Sequence, residues 1–328
     1  MSEYNFRLAD RGEKKQVLDF LHRHWDVQDP FVDDPVLFAY YFEGGGALQF
    51  ALAEKNGEWA ALAGYILANR EPHPDVWVSY WVADPAARGA GLELMAALPE
   101  LIHCRTLACN NIRPKTRPFY EFLGFTTGRV GHFYRLAQKE NYRLAVISER
   151  DIPPVTGDLE LQRLWDGKAL EQSGFVSGQA NPRKDRWYIE RRYYAYPRQE
   201  YEVYGAFAPG AEKAEALLVA RTIPVEDTAV LRIVDFMGPQ ECLPRLGAAM
   251  DNLMQAKRAE YADFYCAGIP SDVMRKAGFA ERREGDGRNI LPNYLQPPVR
   301  ENTDYYYFTS DPGGFRLCKA DGDQDRPR

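Results

Sequence analysis

Two stretches of the chain alternate apolar and small residues around turn signals. From Ala47 the sequence reads ALQFALAEKNGEWAALAGYILANR, two runs that meet at Lys55-Asn56-Gly57-Glu58. An Asn-Gly pair between such runs predicts a β-hairpin. A second pair, YEVYGAFAPGAEKAEALLVARTI, turns at Pro209-Gly210. The same succession follows each pair. After the first come a strand-like run at 76–82 (VWVSYWV), a helix-like GLELMAALPELI, a strand-like RTLACNN and a helix closing on Phe122-Leu123-Gly124-Phe125. After the second come AVLRIVDF at 229–236, PRLGAAMDNLMQAKRA, EYADFYCAG and a helix closing on Lys276-Ala277-Gly278-Phe279. Glycine there supplies the left-handed residue that ends a helix, and the next aromatic anchors the chain as it enters a strand. The two series stand about 154 residues apart, the step from Gly124 to Gly278. So long a period is not that of a solenoid and indicates tandem duplication of one α/β domain. Pro153-Pro154 and Gly157 mark a linker, which divides the chain into 1–150 and 151–328.

Composition agrees with two globular domains: 328 residues, 45% hydrophobic, 41 Lys+Arg against 47 Asp+Glu for a net charge of −6. That balance, without a basic tail, argues against neutralising many nucleic-acid phosphates and leaves room for a local basic pocket. The five cysteines (Cys104, Cys109, Cys242, Cys266, Cys318) are odd in number and show no metal-ligand spacing. Inert thiols are expected, with neither a disulfide framework nor a metal. The opening residues lack an apolar signal segment, and no window approaches the roughly 18 apolar residues of a membrane span. A cytoplasmic protein is expected.

The chemistry concentrates in SYWVADPAARGAGL, residues 79–92. A strand stops at Asp84-Pro85, and Arg88-Gly89-Ala90-Gly91 opens a helix. Glycines let a ligand approach the backbone, and the free N–H groups at a helix start attract anions. The loop lacks the Gly-Lys-Ser/Thr of a Walker loop and the third glycine of a dinucleotide fingerprint.

Hairpin, long strand, RGxG turn and helix, strand, then a helix carrying FYEFLGF: in this order residues 47–135 resemble the GNAT acyltransferase superfamily. The resemblance implies tandem GNAT-like domains, each a mixed, mostly antiparallel twisted sheet flanked by helices. It implies acetyl-CoA or another acyl-CoA as co-substrate. Its pyrophosphate would lie on Arg88, Gly89, Ala90, Gly91 and Leu92, its pantetheine arm along Trp81, Val82 and Ala83, with Asn110 on the cofactor side. Tyr120, in the Y-x-x-x-G-F pattern, would be the general acid for the departing thiolate; packing beside Phe119 and Phe122 is its structural alternative. Ala86 departs from the family, which usually has Gln or Arg there. The second half has Gly238-Pro239-Gln240-Glu241 in place of the RGxG turn and Met274 in place of Tyr120. A glutamate repels phosphate and proline removes a donor, so this half reads as a degenerate copy that contributes acceptor surface.

Three polar clusters are acceptor-site candidates: His22-Arg23-His24-Trp25-Asp26 with Asp29, Asp33 and Asp34; residues 186–194 (RWYIERRYY); and the C-terminal run with Asn293, Tyr294, Glu301-Asn302-Thr303-Asp304 and the polar ending KADGDQDRP. The ending fails the calcium-loop pattern, because Gly322 comes too early and no glutamate follows, and reads as a polar tail. Trp25, Arg186, Arg191, Arg232, Asp235, Asn293 and Tyr294 are the substrate-binding candidates. Arg232 and Asp235 are expected either to pair or to line the cleft. His24, Asp84 or Glu43 would accept the proton, directly or through water. The ending, NILPNY and the opening HRHW…DDPVLFAYYF resemble tandem-GNAT bacterial proteins associated with surface-polysaccharide gene clusters. This implies an amino-sugar acceptor, nucleotide-linked, acylated by direct attack in a ternary complex; a homodimer is open. Two other readings stand: a Fem-type aminoacyltransferase using aminoacyl-tRNA, and a non-catalytic protein that binds a sugar nucleotide or acts as a scaffold.

Overall fold

The computed structural model describes residues 2–25, 29–44, 47–178 and 180–326. Asp26 and Pro327, named in two of the polar clusters, lie outside the described residues. The first half runs β1 (Asn5–Leu8), α1 (Lys14–His24), α2 (Pro30–Asp33), α3 (Pro35–Phe42), β2 (Phe50–Lys55), β3 (Glu58–Leu67), β4 (Asp75–Ala83), α4 (Ala90–Ile102), β5 (Thr106–Asn110), α5 (Arg117–Phe122) and β6 (Thr126–Leu136). A short β7 (Val146–Ile147) precedes the second half: β8 (Glu160–Leu164), α6 (Gly167–Gln172), α7 (Arg186–Ile189), β9 (Glu202–Phe207), β10 (Ala216–Val225), β11 (Thr228–Met237), α8 (Cys242–Arg245), α9 (Gly247–Ala256), β12 (Ala259–Ala267), α10 (Ser271–Lys276) and β13 (Ala280–Arg282). The chain closes with β14 (Asn289–Ile290), β15 (Tyr305–Thr309) and β16 (Leu317–Cys318).

Local chemistry sets the element ends. Asn56 and Gly57 both take positive φ, 54° and 84°, as the turn joining β2 to β3 requires. Asp34 caps α3, its carboxylate accepting from the N–H groups of Val36 (2.9 Å) and Leu37 (3.2 Å), with Pro35 next to it. Asp166 and Asp185 cap α6 and α7 in the same way. Gly124 and Gly278, at φ 85° and 91°, end α5 and α10 as expected from the repeated Gly-Phe pairs.

Fourteen strands form one mixed sheet, in the order β1-β2-β3-β4-β5-β15-β6-β12-β11-β10-β9-β8, with β13 on β6 and β16 on β12. Among the described strands only β4–β5 and β11–β12 pair in parallel. The halves exchange strands. β15, from near the chain's end, lies between β5 and β6. In return, β6 runs on past β15, and its residues from Gly131 to Leu136 pair with β12 while β13 takes the other edge. Each half's sheet is therefore completed by a strand of the other.

The polar ending is not a solvated tail. Lys319, Asp321, Asp323 and Asp325 are all buried. Burying an ionised carboxylate is tolerated only when it is paired and hydrogen-bonded. Lys184 Nζ lies 2.7 Å from Asp235 and 2.8 Å from Asp321. Arg221 bonds Asp325 at 2.9 Å, and Arg192 donates to the Ala320 and Gln324 carbonyls. Lys319 differs: its ammonium sits 3.8 Å from the Tyr305 ring centre and 5.0 Å from that of Tyr265, with no carboxylate in contact among the described residues. Burial, with Arg232 close by, pulls it down to about 7. Burial also pulls down Lys184, but Asp235 and Asp321 more than reverse that.

The two buried lysines should therefore respond oppositely to removal. Lys184→Met strands two buried carboxylates and should cost about 3–5 kcal/mol. Lys319→Met removes an unpaired cation and should stabilise by about 1–3 kcal/mol at pH 6. A lowered folded pKa means that the unfolded chain binds the extra proton between about 7 and the free-lysine value, so wild-type stability rises across that window. The advantage of Lys319→Met should shrink accordingly from pH 7 to pH 9.5 in urea titrations; a constant gap would contradict it.

Candidate active site

β4 and β5 pair only from Asp75↔Thr106 to Trp77↔Ala108, although β4 continues to Ala83. The register with β3 steps from Tyr65↔Val78 to Gly64↔Tyr80, leaving Ser79 as a bulge. A bulge bends and twists its strand. From Tyr80 to Ala83 the backbone groups turned away from β3 have no strand partner among the described residues, forming the edge of an open wedge.

The RGxG turn stands at the end of this edge. Gly89, at φ 84°, is the N-cap of α4, a conformation strained for any residue with a Cβ. Gly91 packs on β4: a Cβ there would lie 3.2 Å from both Ala83 Cβ and Trp81 Nε1. The Trp81 indole N–H donates to the Gly91 carbonyl at 2.7 Å. Ala90 is buried and Leu92 half-buried, so the turn offers backbone rather than their side chains. Arg88 is exposed and makes no ion pair among the described residues; its carbonyl accepts from the Tyr4 hydroxyl at 3.2 Å. The first N–H groups of a helix have no intrahelical acceptor, so turn and Arg88 together suit an anion. Glu93, one turn further on and held by the Ser2 hydroxyl at 2.5 Å, opposes it.

A cavity of about 410 Å³ opens beside Trp81, Val82 and Ala83 and is completed by His24, Trp25 and Arg113. Trp25 donates to Asp29 at 2.8 Å and meets Tyr80 edge-on at 5.7 Å. The Arg113 guanidinium lies 5.1 Å from the Trp25 ring centre and forms no ion pair among the described residues. The His24 ring packs on Phe20 at 4.6 Å. Tyr120 is buried against Trp81 (5.1 Å) and stacks on Phe308 of β15 at 4.3 Å. Burial pushes its pKa up, so the phenol keeps its proton at neutral pH.

His24, Trp25, Trp81, Val82 and Ala83 are thus gathered at one cavity, with the turn 88–92 adjoining. Other candidates are committed elsewhere. Glu43 is ion-paired with Lys14. Asp84 holds the turn, its carboxylate accepting from the Ala86 N–H at 2.8 Å. Asn110, expected on the cofactor side, is committed to the tail: its amide donates to the Cys318 and Asp321 carbonyls, both at 3.2 Å. Arg232 and Asp235 do not pair with each other, since Arg232 bonds Asp263 at 2.7 Å and Asp235 bonds Lys184 and the Tyr193 hydroxyl. Asn293 is buried and donates to the Tyr305 hydroxyl at 2.7 Å, with half-buried Tyr294 next to it. Arg186 is bonded to Glu190 and Glu171. Arg191 stacks on Tyr40 at 4.1 Å and lines a separate concavity of about 610 Å³ with Arg186, Trp187 and Tyr194.

Asp235, Cys318 and Asp321 bring three ligand atoms within 4.8 Å of one another. Lys184 Nζ, in contact with both carboxylates, supplies the positive charge there. Arg113 and Lys184 did not stand out in the sequence. An arginine ahead of a proline in a polar loop is the only sequence signal for Arg113; Lys184 has none.

No family sequence model and no curated protein sequence matches the chain. Solved structures do. A GCN5-related N-acetyltransferase from Anabaena variabilis ATCC 29413 is 10% identical at a TM-score of 0.54, over 93% of this chain and 72% of that one. A conserved protein of unknown function from Enterococcus faecalis V583, described as a probable N-acyltransferase, is 13% identical at a TM-score of 0.53, over 93% of this chain and 71% of that one. The fold is that of GNAT-type structures. No helix among the described residues is long and apolar enough to cross a membrane.

The contact between α4 and β4 is testable without a ligand. Gly91→Val should overpack Trp81 and Ala83 and cost about 1–3 kcal/mol in urea unfolding. Gly12→Val, where a Cβ meets nothing within 4 Å, should change little.

Proposed function

We propose that the chain is an acyl-CoA-dependent N-acyltransferase, with acetyl-CoA as donor and an amino group of a nucleotide-linked sugar, used in surface-polysaccharide synthesis, as acceptor. The observation that carries this reading is the open wedge of β4, which ends at the RGxG turn and adjoins the cavity of His24, Trp25 and Arg113. The unpaired strand edge suits an extended amide-bearing arm, and Gly89, the first-turn N–H groups and Arg88 suit a pyrophosphate. The thioester supplies the activated acyl group.

The chain's own groups would divide the remaining work. His24, at the cavity wall, accepts the proton of the attacking amine, and Tyr120, kept neutral by burial, donates one to the leaving thiolate. Trp25 and Trp81 offer ring faces to a sugar, and Arg113 a cation to a phosphate on it. Acyl transfer by direct attack requires no covalent enzyme intermediate, consistent with cysteines that are mostly buried and whose thiols, where a shift is resolved, are pushed up by burial.

Calorimetry with acetyl-CoA and thiol release with amino-sugar nucleotides test the reading. Binding at micromolar to sub-millimolar acetyl-CoA is expected, lost in Gly89→Glu; Tyr120→Phe should retain binding and lower kcat about 10²-fold or more. No heat from wild type would overturn the acyl-CoA reading, and full tolerance of both substitutions would favour the non-catalytic one.

A further inference from the structure

The second half carries a cavity at the counterpart of the first. About 350 Å³ lie beside Phe236 and Met237 at the end of β11, as the first cavity lies beside Val82 and Ala83 at the end of β4. Pro182 and Lys184, between α6 and α7, form one wall, the place that His24 and Trp25 take in the first half. Arg316, just before β16 on the neighbouring β12, completes it as Arg113 after β5 completes the other.

The contents of the two cavities differ in kind. The backbone cradle for polyphosphate is gone, because Pro239 has no N–H and Glu241 carries the wrong charge. One available cation remains. Arg316 donates through Nη1 to the Gly238 carbonyl at 2.6 Å, its guanidinium lies 5.9 Å from the Phe236 ring centre, and it meets no carboxylate among the described residues. Lys184 is already held between Asp235 and Asp321. Pro182, Met237 and Pro239 supply apolar lining, while the Phe236 ring is fully buried beside the Arg316 guanidinium. The volume stands at the lower end of ligand pockets. We propose that this cavity is a second ligand site, which takes a small aliphatic monocarboxylate with its carboxylate on Arg316 and its chain against Pro182, Met237 and Pro239.

Sodium hexanoate is a suitable probe for the full-length protein, read by saturation-transfer NMR and thermal shift. Binding below about 10 mM is expected, unchanged by saturating CoA and unchanged in Gly89→Glu, so that its outcome is independent of the acyl-CoA reading. Arg316→Met, which keeps the stem over Phe236, should weaken it about tenfold or more, Arg316→Lys should recover part of the loss, and Met237→Trp should block the cavity. Neutral 1-hexanol should bind more weakly than hexanoate. Absence of hexanoate binding, displacement by CoA, or equal affinity in Arg316→Met would overturn the proposal.

Discussion

One ammonium group, Lys184 Nζ, stands between Asp235 on β11 and Asp321 in the tail, fastening the end of the chain to the central strand of the second half. The same tail reaches the first half, where Asp323 accepts from the Ser79 hydroxyl at 2.9 Å and Asn110 donates to two tail carbonyls. Between these anchors and α10 the chain lays down β15, the strand that joins β5 to β6. Buried ion pairs are poor sources of net stability, because desolvation offsets most of the attraction. Breaking one is nevertheless costly, which ties the path of the tail to Lys184 and Arg221.

The tail also makes the halves unequal. In each, the central parallel pair separates partway, after Trp77↔Ala108 in the first and after Ile233↔Phe264 in the second. In the second half the gap is closed: β16 pairs with β12, and the Ala320 N–H donates to the Val234 carbonyl at 2.9 Å. No strand enters the first wedge among the described residues. The side with the RGxG turn thus keeps a backbone edge available, while the side without it satisfies its edge internally. Buried backbone groups must be paired, and in the second half β16 and the Ala320 N–H supply that pairing.

Much of this was legible in the sequence wherever structure is decided locally. The Asn56-Gly57 turn, the Gly124 and Gly278 helix ends and the turn at Arg88–Gly91 depend on residues within a few positions of one another, and the repeated order exposed the duplicated architecture. What was not legible depends on pairings across long separations. Nothing in DYYYFT announces a strand that belongs to the first half's sheet. KADGDQDRP reads as solvated because Asp321 and Asp325 find their cations at Lys184 and Arg221, more than a hundred residues away. For the same reason Asn110, Arg232 and Asp235 looked available while their side chains were already engaged.

The net charge of −6 has to be read with these pairings in mind. Most of the buried cations at the centre of the molecule answer a specific carboxylate or carbonyl and so attract nothing from outside. Arg88 at the turn, Arg113 at the first cavity and Arg316 at the second make no ion pair among the described residues. Coulomb attraction within a cleft depends on nearby unpaired charge, since exposed charges beyond a Debye length of about 8–10 Å are screened. An acidic chain can therefore hold anions where it leaves a guanidinium unanswered, and the two halves place such a group at matching positions beside the ends of their central strands.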